Sequence, residues 1–145
     1  MSTTASDPTK TLELAPYIFF YGRCEEALAF YKNALGGDYS FSRIKESPMA
    51  DQFPAEAQDR VMHATFTGPG ITFLCSDGRE TKDVDSDAGN ICLALQASDR
   101  ATGERIFANL SEGGKVGMPI AEVPWGGSFG MLVDRFGTEW MVSLP

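Results

Sequence analysis

The side chains of this sequence that could move a proton are few and far apart. His63 is the single histidine, and imidazole is the side chain best suited to exchange a proton near neutral pH. It stands in Val61-Met62-His63-Ala64-Thr65, where the period of two of an extended strand sends His63 and Thr65 to one face. That placement fits a general base or a hydrogen-bonding ligand contact, and equally a structural histidine satisfied by a neighbour. Glu139 is the candidate partner. It alternates with Trp140 near the C-terminus, so it faces away from the bulky apolar set and could pair with His63. A solvent-facing carboxylate at a strand end is the alternative.

A second group could hold a ligand without reacting. Tyr17, Phe73, Trp125 and Phe129 could line a pocket for a planar or apolar molecule, and the same residues could simply be core. Trp125 precedes Gly126-Gly127, a loop position where core burial is less assured. Cys24 lies at the start of a helical stretch, where the dipole would lower a thiol pKa. Glu25 and Glu26 oppose that shift, and no second histidine is present to serve as base. The three cysteines, Cys24, Cys75 and Cys92, are odd in number and form no C-x-x-C pair. They read as buried or partly buried thiols in a reducing cytoplasm.

These residues need elements to place them, and length and composition bound the choice. A chain of 145 residues fits one domain and buries enough surface to need no disulfide or structural metal. The formal charge of −8 argues against nucleic acid, whose phosphates require clustered Lys and Arg, and against an anionic membrane surface. No run approaches the ~20 apolar residues of a membrane span, and the polar start has no signal-peptide core. Residues 1–12 read as a frayed tail.

Two stretches carry helical spacing. Ala27, Leu28, Phe30, Tyr31, Ala34 and Leu35 follow Glu25 and Glu26, whose carboxylates suit the positive end of a helix, and Gly36-Gly37 stops it. Ile106, Phe107 and Leu110 form the second stripe, capped by Ser98 or Asp99 and stopped by Gly113-Gly114. Gly103 inside it costs up to ~1 kcal/mol relative to Ala. A strand precedes each helix and three follow it. The first set covers residues 17–20, then 39–46, 61–67 and 71–75; the second covers 90–97, then 115–123, 128–134 and 139–144. The offset of about 75 residues marks an internal repeat of element order. The expectation is α+β: two β-α-β-β-β modules, about 14–76 and 90–145, within a domain from residue 13, joined by a polar linker at about 77–89. Alternation sets Ile91, Leu93 and Leu95 against Asn90, Cys92, Ala94 and Gln96, and sets Trp140, Val142 and Leu144 against Glu139, Met141 and Ser143.

With that repeat, several strings resemble the vicinal oxygen chelate superfamily (glyoxalase I, bleomycin-resistance proteins, extradiol dioxygenases), and within it the PhnB-like branch. They are Pro16-Tyr17-Ile18, Gly22 through Ala27, Phe30-Tyr31 with Leu35-Gly36, and Val61-Met62-His63-Ala64. Cys75-Ser76-Asp77, Trp125 with Phe129-Gly130, and Asp134-Arg135-Phe136-Gly137-Thr138-Glu139-Trp140-Met141 complete the set, which spans residues 14–145. The resemblance implies modules that curl their sheets around a shared cavity, commonly in a homodimer. In catalytic members a divalent metal is held there by His, Glu and sometimes Gln from the first and last strands of each module. Those positions fall here on Pro16 or Tyr17, on one of Thr72 to Leu74, on Asn90, and on Met141, none of them His or a carboxylate. No metal and no cofactor are therefore expected. The methyltransferase name that the branch often carries would call for a glycine-rich loop between strand and helix, where this sequence offers Gly22 alone. The expectation is a cytoplasmic, metal-independent small-molecule-binding protein whose ligand meets Tyr17, His63, Phe73, Asn90, Trp125, Phe129 and Met141. The alternative is a glyoxalase-like lyase or isomerase, or another acid–base enzyme using His63 with Glu139.

Overall fold

Each of the two apolar helical stripes buries itself against one face of a four-stranded sheet. A computed structural model describes residues 12–78, 81–82 and 90–145. Its elements run β1 (Tyr17–Phe19), α1 (Cys24–Leu35), β2 (Asp38–Arg43), β3 (Val61–Gly68), β4 (Ile71–Ser76), β5 (Leu93–Gln96), α2 (Arg100–Ser111), β6 (Lys115–Glu122), β7 (Ser128–Val133) and β8 (Glu139–Leu144). Three single 3-10 turns, at Ile44–Glu46, Ala50–Gln52 and Ala55–Ala57, connect β2 to β3. The chain divides after Lys82 into two compact units, one per module.

Both sheets are mixed and share one topology. The first has the order β1-β4-β3-β2 and the second β5-β8-β7-β6. In each, the strand before the helix pairs in parallel with the last strand of its module, and the remaining pairs are antiparallel. The expected pair of β-α-β-β-β modules is what the chain forms. The run at 39–46 ends as a strand at Arg43, and Ile44 turns inward into the first 3-10 turn.

In the first unit the helix-facing core is aromatic. Phe66 and Phe73 lie side by side on β3 and β4, rings stacked with centroids 4.9 Å apart. Tyr31 of α1 meets Phe73 edge-on at 5.6 Å, and such edge-to-face contacts add to the burial of the rings themselves. Leu28, Ala27 and Cys24 complete the buried face of α1. The helix ends at Gly36-Gly37 because β2 must begin beside β3: at Gly37 φ is +95°, and a Cβ there would lie 2.5 Å from the carbonyl of Thr67, so only glycine fits.

The start of α1 is fastened from outside the helix. Arg23 offers it no side-chain cap. Instead the carboxylate of Asp77, just past β4, accepts the backbone N–H of Cys24 at 2.8 Å and that of Val61 at 2.7 Å. Asp77 was expected at the head of a polar linker; it is buried because two N–H groups, one of them at the positive end of a helix, need its charge. The other aspartates of that stretch, Asp83, Asp85 and Asp87, lie outside the described residues, as do residues 1–11.

In the second unit Phe107 and Leu110 of α2 are buried, as are Leu132, Trp140, Val142 and Leu144 of the sheet. Asp99 caps α2, accepting the Thr102 N–H at 2.8 Å and its hydroxyl at 2.9 Å. Asp134, in the turn after β7, accepts the Trp140 indole N–H at 2.8 Å and the backbone N–H groups of Phe136 and Thr138.

Candidate functional site

Each sheet spends one face on its helix and leaves the other open, and the open faces carry the candidate chemistry. On the first sheet, strand register puts Ser40, Thr65, Leu74 and Tyr17 in one row across β2, β3, β4 and β1. The next positions add Ser42 opposite His63, and Ser76 opposite Phe19. This face is therefore mostly hydroxyls, with aromatic rings gathered along β1.

Those rings form a continuous line. Tyr21, in the turn before α1, stacks on Phe19 with centroids 6.3 Å apart. Phe19 lies 5.2 Å from Tyr17, and Tyr17 lies 5.9 Å from the His63 imidazole. The Tyr17 hydroxyl approaches His63 Nδ1 at 3.5 Å. Tyr21 reaches its place through a left-handed backbone, φ 47°, uncommon for a residue with a large side chain. The Lys82 ammonium lies 4.6 Å from the Tyr21 ring centroid at the far end of the line, within cation–π range. Tyr17 is 41% and Phe19 49% exposed, so the line presents its rings outward.

On the second sheet the open face is apolar and sulfur-rich. Met118, Met131, Met141 and Ala94 form one row across β6, β7, β8 and β5. Ala121, Phe129, Ser143 and Gln96 form the row on one side of it; Lys115, Val133 and Glu139 form the row on the other. Trp125 sits at the tip of the β6–β7 hairpin, 79% exposed, where Gly126 and Gly127 both take positive φ to close the turn.

The expected residues thus fall into distinct groups. Tyr17 and His63 meet on the first open face, Phe129, Met141 and Glu139 share the second, Trp125 crowns a hairpin, and Asn90 is exposed before β5. His63 belongs to the first unit and Glu139 to the second. Phe73 is a correction. It points into the helix-facing core between Phe66 and Tyr31, because on β4 it alternates with Leu74, the residue aligned with Tyr17. Phe19, Tyr21, Met118 and Met131 join the open faces without having been expected there. Stepping by two from Tyr17 would have found Phe19 and Tyr21, and the three methionines become neighbours only once β6, β7 and β8 are in register.

The divalent metal implied by the resemblance does not fit this donor set. Tyr17, Thr72 and Leu74, and Met141 stand on the open faces and Asn90 beside one, offering phenol, hydroxyl, amide and thioether groups where imidazole and carboxylate are wanted. Among the described residues no three of His, Cys, Asp and Glu gather into a group that could hold a metal. The cysteines are free. Cys24 and Cys75 touch, Sγ to Sγ 3.6 Å, inside the first core; the contact with Cys75 and burial push the Cys24 thiol well above its usual value, which suits a packed thiol and not a nucleophile.

Paired β-α-β-β-β modules with mixed sheets are the architecture of the glyoxalase/bleomycin resistance/dioxygenase superfamily. The chain has that fold and belongs to the family described as 3-demethylubiquinone-9 3-methyltransferase, which residues 12–143 match. Protein YjdN of Escherichia coli is 30% identical, covering 92% of this chain and 95% of its own. The crystal structure of protein PA1353 from Pseudomonas aeruginosa has 33% identity and a TM-score of 0.78, covering 92% of this chain and 98% of that one. A putative 3-demethylubiquinone-9 3-methyltransferase, PhnB protein, from Bacillus cereus shares the fold at 24% identity and a TM-score of 0.70, covering 92% and 100%. Among the described residues no helix is long and apolar enough to cross a membrane.

Proposed function

We propose that this chain binds a small planar or apolar molecule, without a divalent metal, on the open face of its first sheet. The observation that carries the reading is the outward-facing line Tyr21–Phe19–Tyr17–His63. Half-exposed rings in a row offer area for stacking at little entropic cost, and the tyrosine hydroxyl, the imidazole and the flanking Ser42 and Thr65 supply directional contacts. The family's description names a methyltransferase. The strand-to-helix junctions of this chain, Phe20 to Arg23 and Ala97 to Asp99, contain one glycine, Gly22, and no glycine-rich loop for a methyl donor; binding is what these residues support. The reading includes the homodimer implied by the resemblance and a reducing cytoplasm suited to the free thiols, and light scattering of the purified chain tests the former.

The test is a ligand-observed NMR screen of planar aromatic and apolar compounds, with dissociation constants measured on the wild type, Phe19→Ala and Tyr17→Ala. Hits are expected to bind equally with and without a chelator and about tenfold more weakly to either variant. Hits indifferent to both changes, or requiring a divalent metal, overturn the reading.

A second reading, acid–base catalysis, is favoured by one observation: the Tyr17 hydroxyl lies 3.5 Å from His63 Nδ1 on the open face. Screening small electrophiles and diketones with the wild type, His63→Asn and Glu139→Gln tests it. Turnover lost in His63→Asn supports catalysis, and turnover absent or indifferent to both leaves binding.

A further inference from the structure

Half of the chain's six methionines stand in a single line on the second sheet. Met118 lies opposite Met131, and Met131 opposite Met141. Residues opposite one another in an antiparallel pair share a face, with Cβ atoms about 5 Å apart. That face is the one turned away from α2, since Met131 alternates with buried Gly130 and Leu132, and Met141 with buried Trp140 and Val142. Met118 is 47% exposed and its two partners half-buried, so all three thioethers are within reach of solvent. The β6–β7 register shifts on both sides of Met118, and such irregularities re-aim the side chain they flank.

We propose that Met118, Met131 and Met141 form a thioether site for a soft monovalent cation, Cu(I) or Ag(I). Thioether sulfur is a soft donor that selects Cu(I) over the hard and borderline divalent ions. Each methionine has three rotatable side-chain bonds, enough for the two outer sulfurs to lean over the central Met131 and close a three-coordinate site. Ala94 ends the row and adds no competing donor. Val133 and Phe129 flank the central Met131 with apolar side chains, while Met141 lies between Glu139 and Ser143. The next row carries Glu139 and, at its other end, Lys115, whose charges offset, so the preference for a cation over an anion rests on the net charge of −8. The site lies wholly within the second unit and does not rest on the ligand face of the first sheet.

The competing explanation is that methionine here is only a deformable apolar surface. Silver nitrate titrated into protein labelled at the methionine methyl carbons separates the two. The titration uses a Cys92→Ser background, so that the half-exposed thiol cannot capture the ion. One equivalent of Ag(I) is expected to shift the methyl signals of Met118, Met131 and Met141 while those of Met49 and Met62 stay fixed. Met131→Leu preserves volume and apolarity and is expected to weaken silver binding at least tenfold. Methyl signals that do not move, that all move together, or silver affinity unchanged in Met131→Leu overturn the proposal. The wild-type methyl spectrum decides it even if the leucine variant folds poorly.

Discussion

The Tyr17 hydroxyl oxygen stands 3.5 Å from His63 Nδ1, reaching over β4, the strand between them. With the phenol O–H donating, Nδ1 is the acceptor and the imidazole proton sits on Nε2. Tyr17→Phe removes the donor and keeps the ring. The ring-nitrogen signals of His63 are expected to show the Nε2–H tautomer in the wild type and to move toward a mixture of tautomers in the variant, at a pH where the ring is neutral. Identical spectra in the two proteins would show that the hydroxyl does not orient the imidazole.

Asp134 anchors the turn after β7 by accepting three hydrogen bonds, one from the buried indole N–H of Trp140 at 2.8 Å. Asp134→Ala leaves that N–H and two backbone N–H groups short of an acceptor. The expected loss is about 3 kcal/mol, a fall in melting temperature of about 10 °C for a chain of this size. A loss under 1 kcal/mol in denaturant titration, on the order of a single exposed hydrogen bond, would contradict this role.

Gly103→Ala puts two magnitudes against each other. Helix propensity favours alanine by about 1 kcal/mol. The new Cβ would lie 2.9 Å from Leu144 Cβ and 3.2 Å from Ala97 Cβ, and forcing a methyl into a packed interface costs about 1–3 kcal/mol. Packing wins, so the variant is expected to melt below the wild type. A stabilised variant would mean that α2 lifts from β8 without cost.

Acid stability carries a signature of the α2 cap. The Thr102 backbone N–H, and then its hydroxyl, hold the Asp99 carboxyl below its ordinary value of 3.8. A carboxyl whose folded value is depressed contributes stability that is fully present above the unfolded value and is lost as pH falls through the lower, folded one. Asp99→Asn keeps a cap acceptor but cannot ionise. Its melting temperature is expected to lie below the wild type's by a constant amount above about pH 5 and to converge on it in stronger acid. A difference that grows on acidification would reverse the sign and refute the cap.

The fold was legible because periodicity changes where it must. Ala27, Leu28 and Tyr31 recur at helical spacing, Trp140, Val142 and Leu144 at strand spacing, and the Gly-Gly stops fall where tight returns are needed. The site was legible only in part. Tyr17 and His63 could be assigned to strands, but their meeting depends on β4 passing between them, a long-range pairing that no local pattern encodes. Phe73 has the ring chemistry of a pocket residue, but its alternation with Leu74 turns it into the helix-facing core. Asp77, which reads as one polar residue among several, is a buried clamp because two distant N–H groups converge on it.

A planar or apolar ligand is expected to lie along Tyr21, Phe19, Tyr17 and His63 with no divalent metal. The most direct measurement is a chemical-shift titration of the labelled protein with a screened hit, in the presence of a chelator and repeated on Phe19→Ala. The expected result is a saturable set of shifts centred on Tyr17, Phe19, Tyr21 and His63 that weakens about tenfold in the variant. Shifts that centre on Glu139 and Met141, or that vanish when the chelator is added, would contradict it.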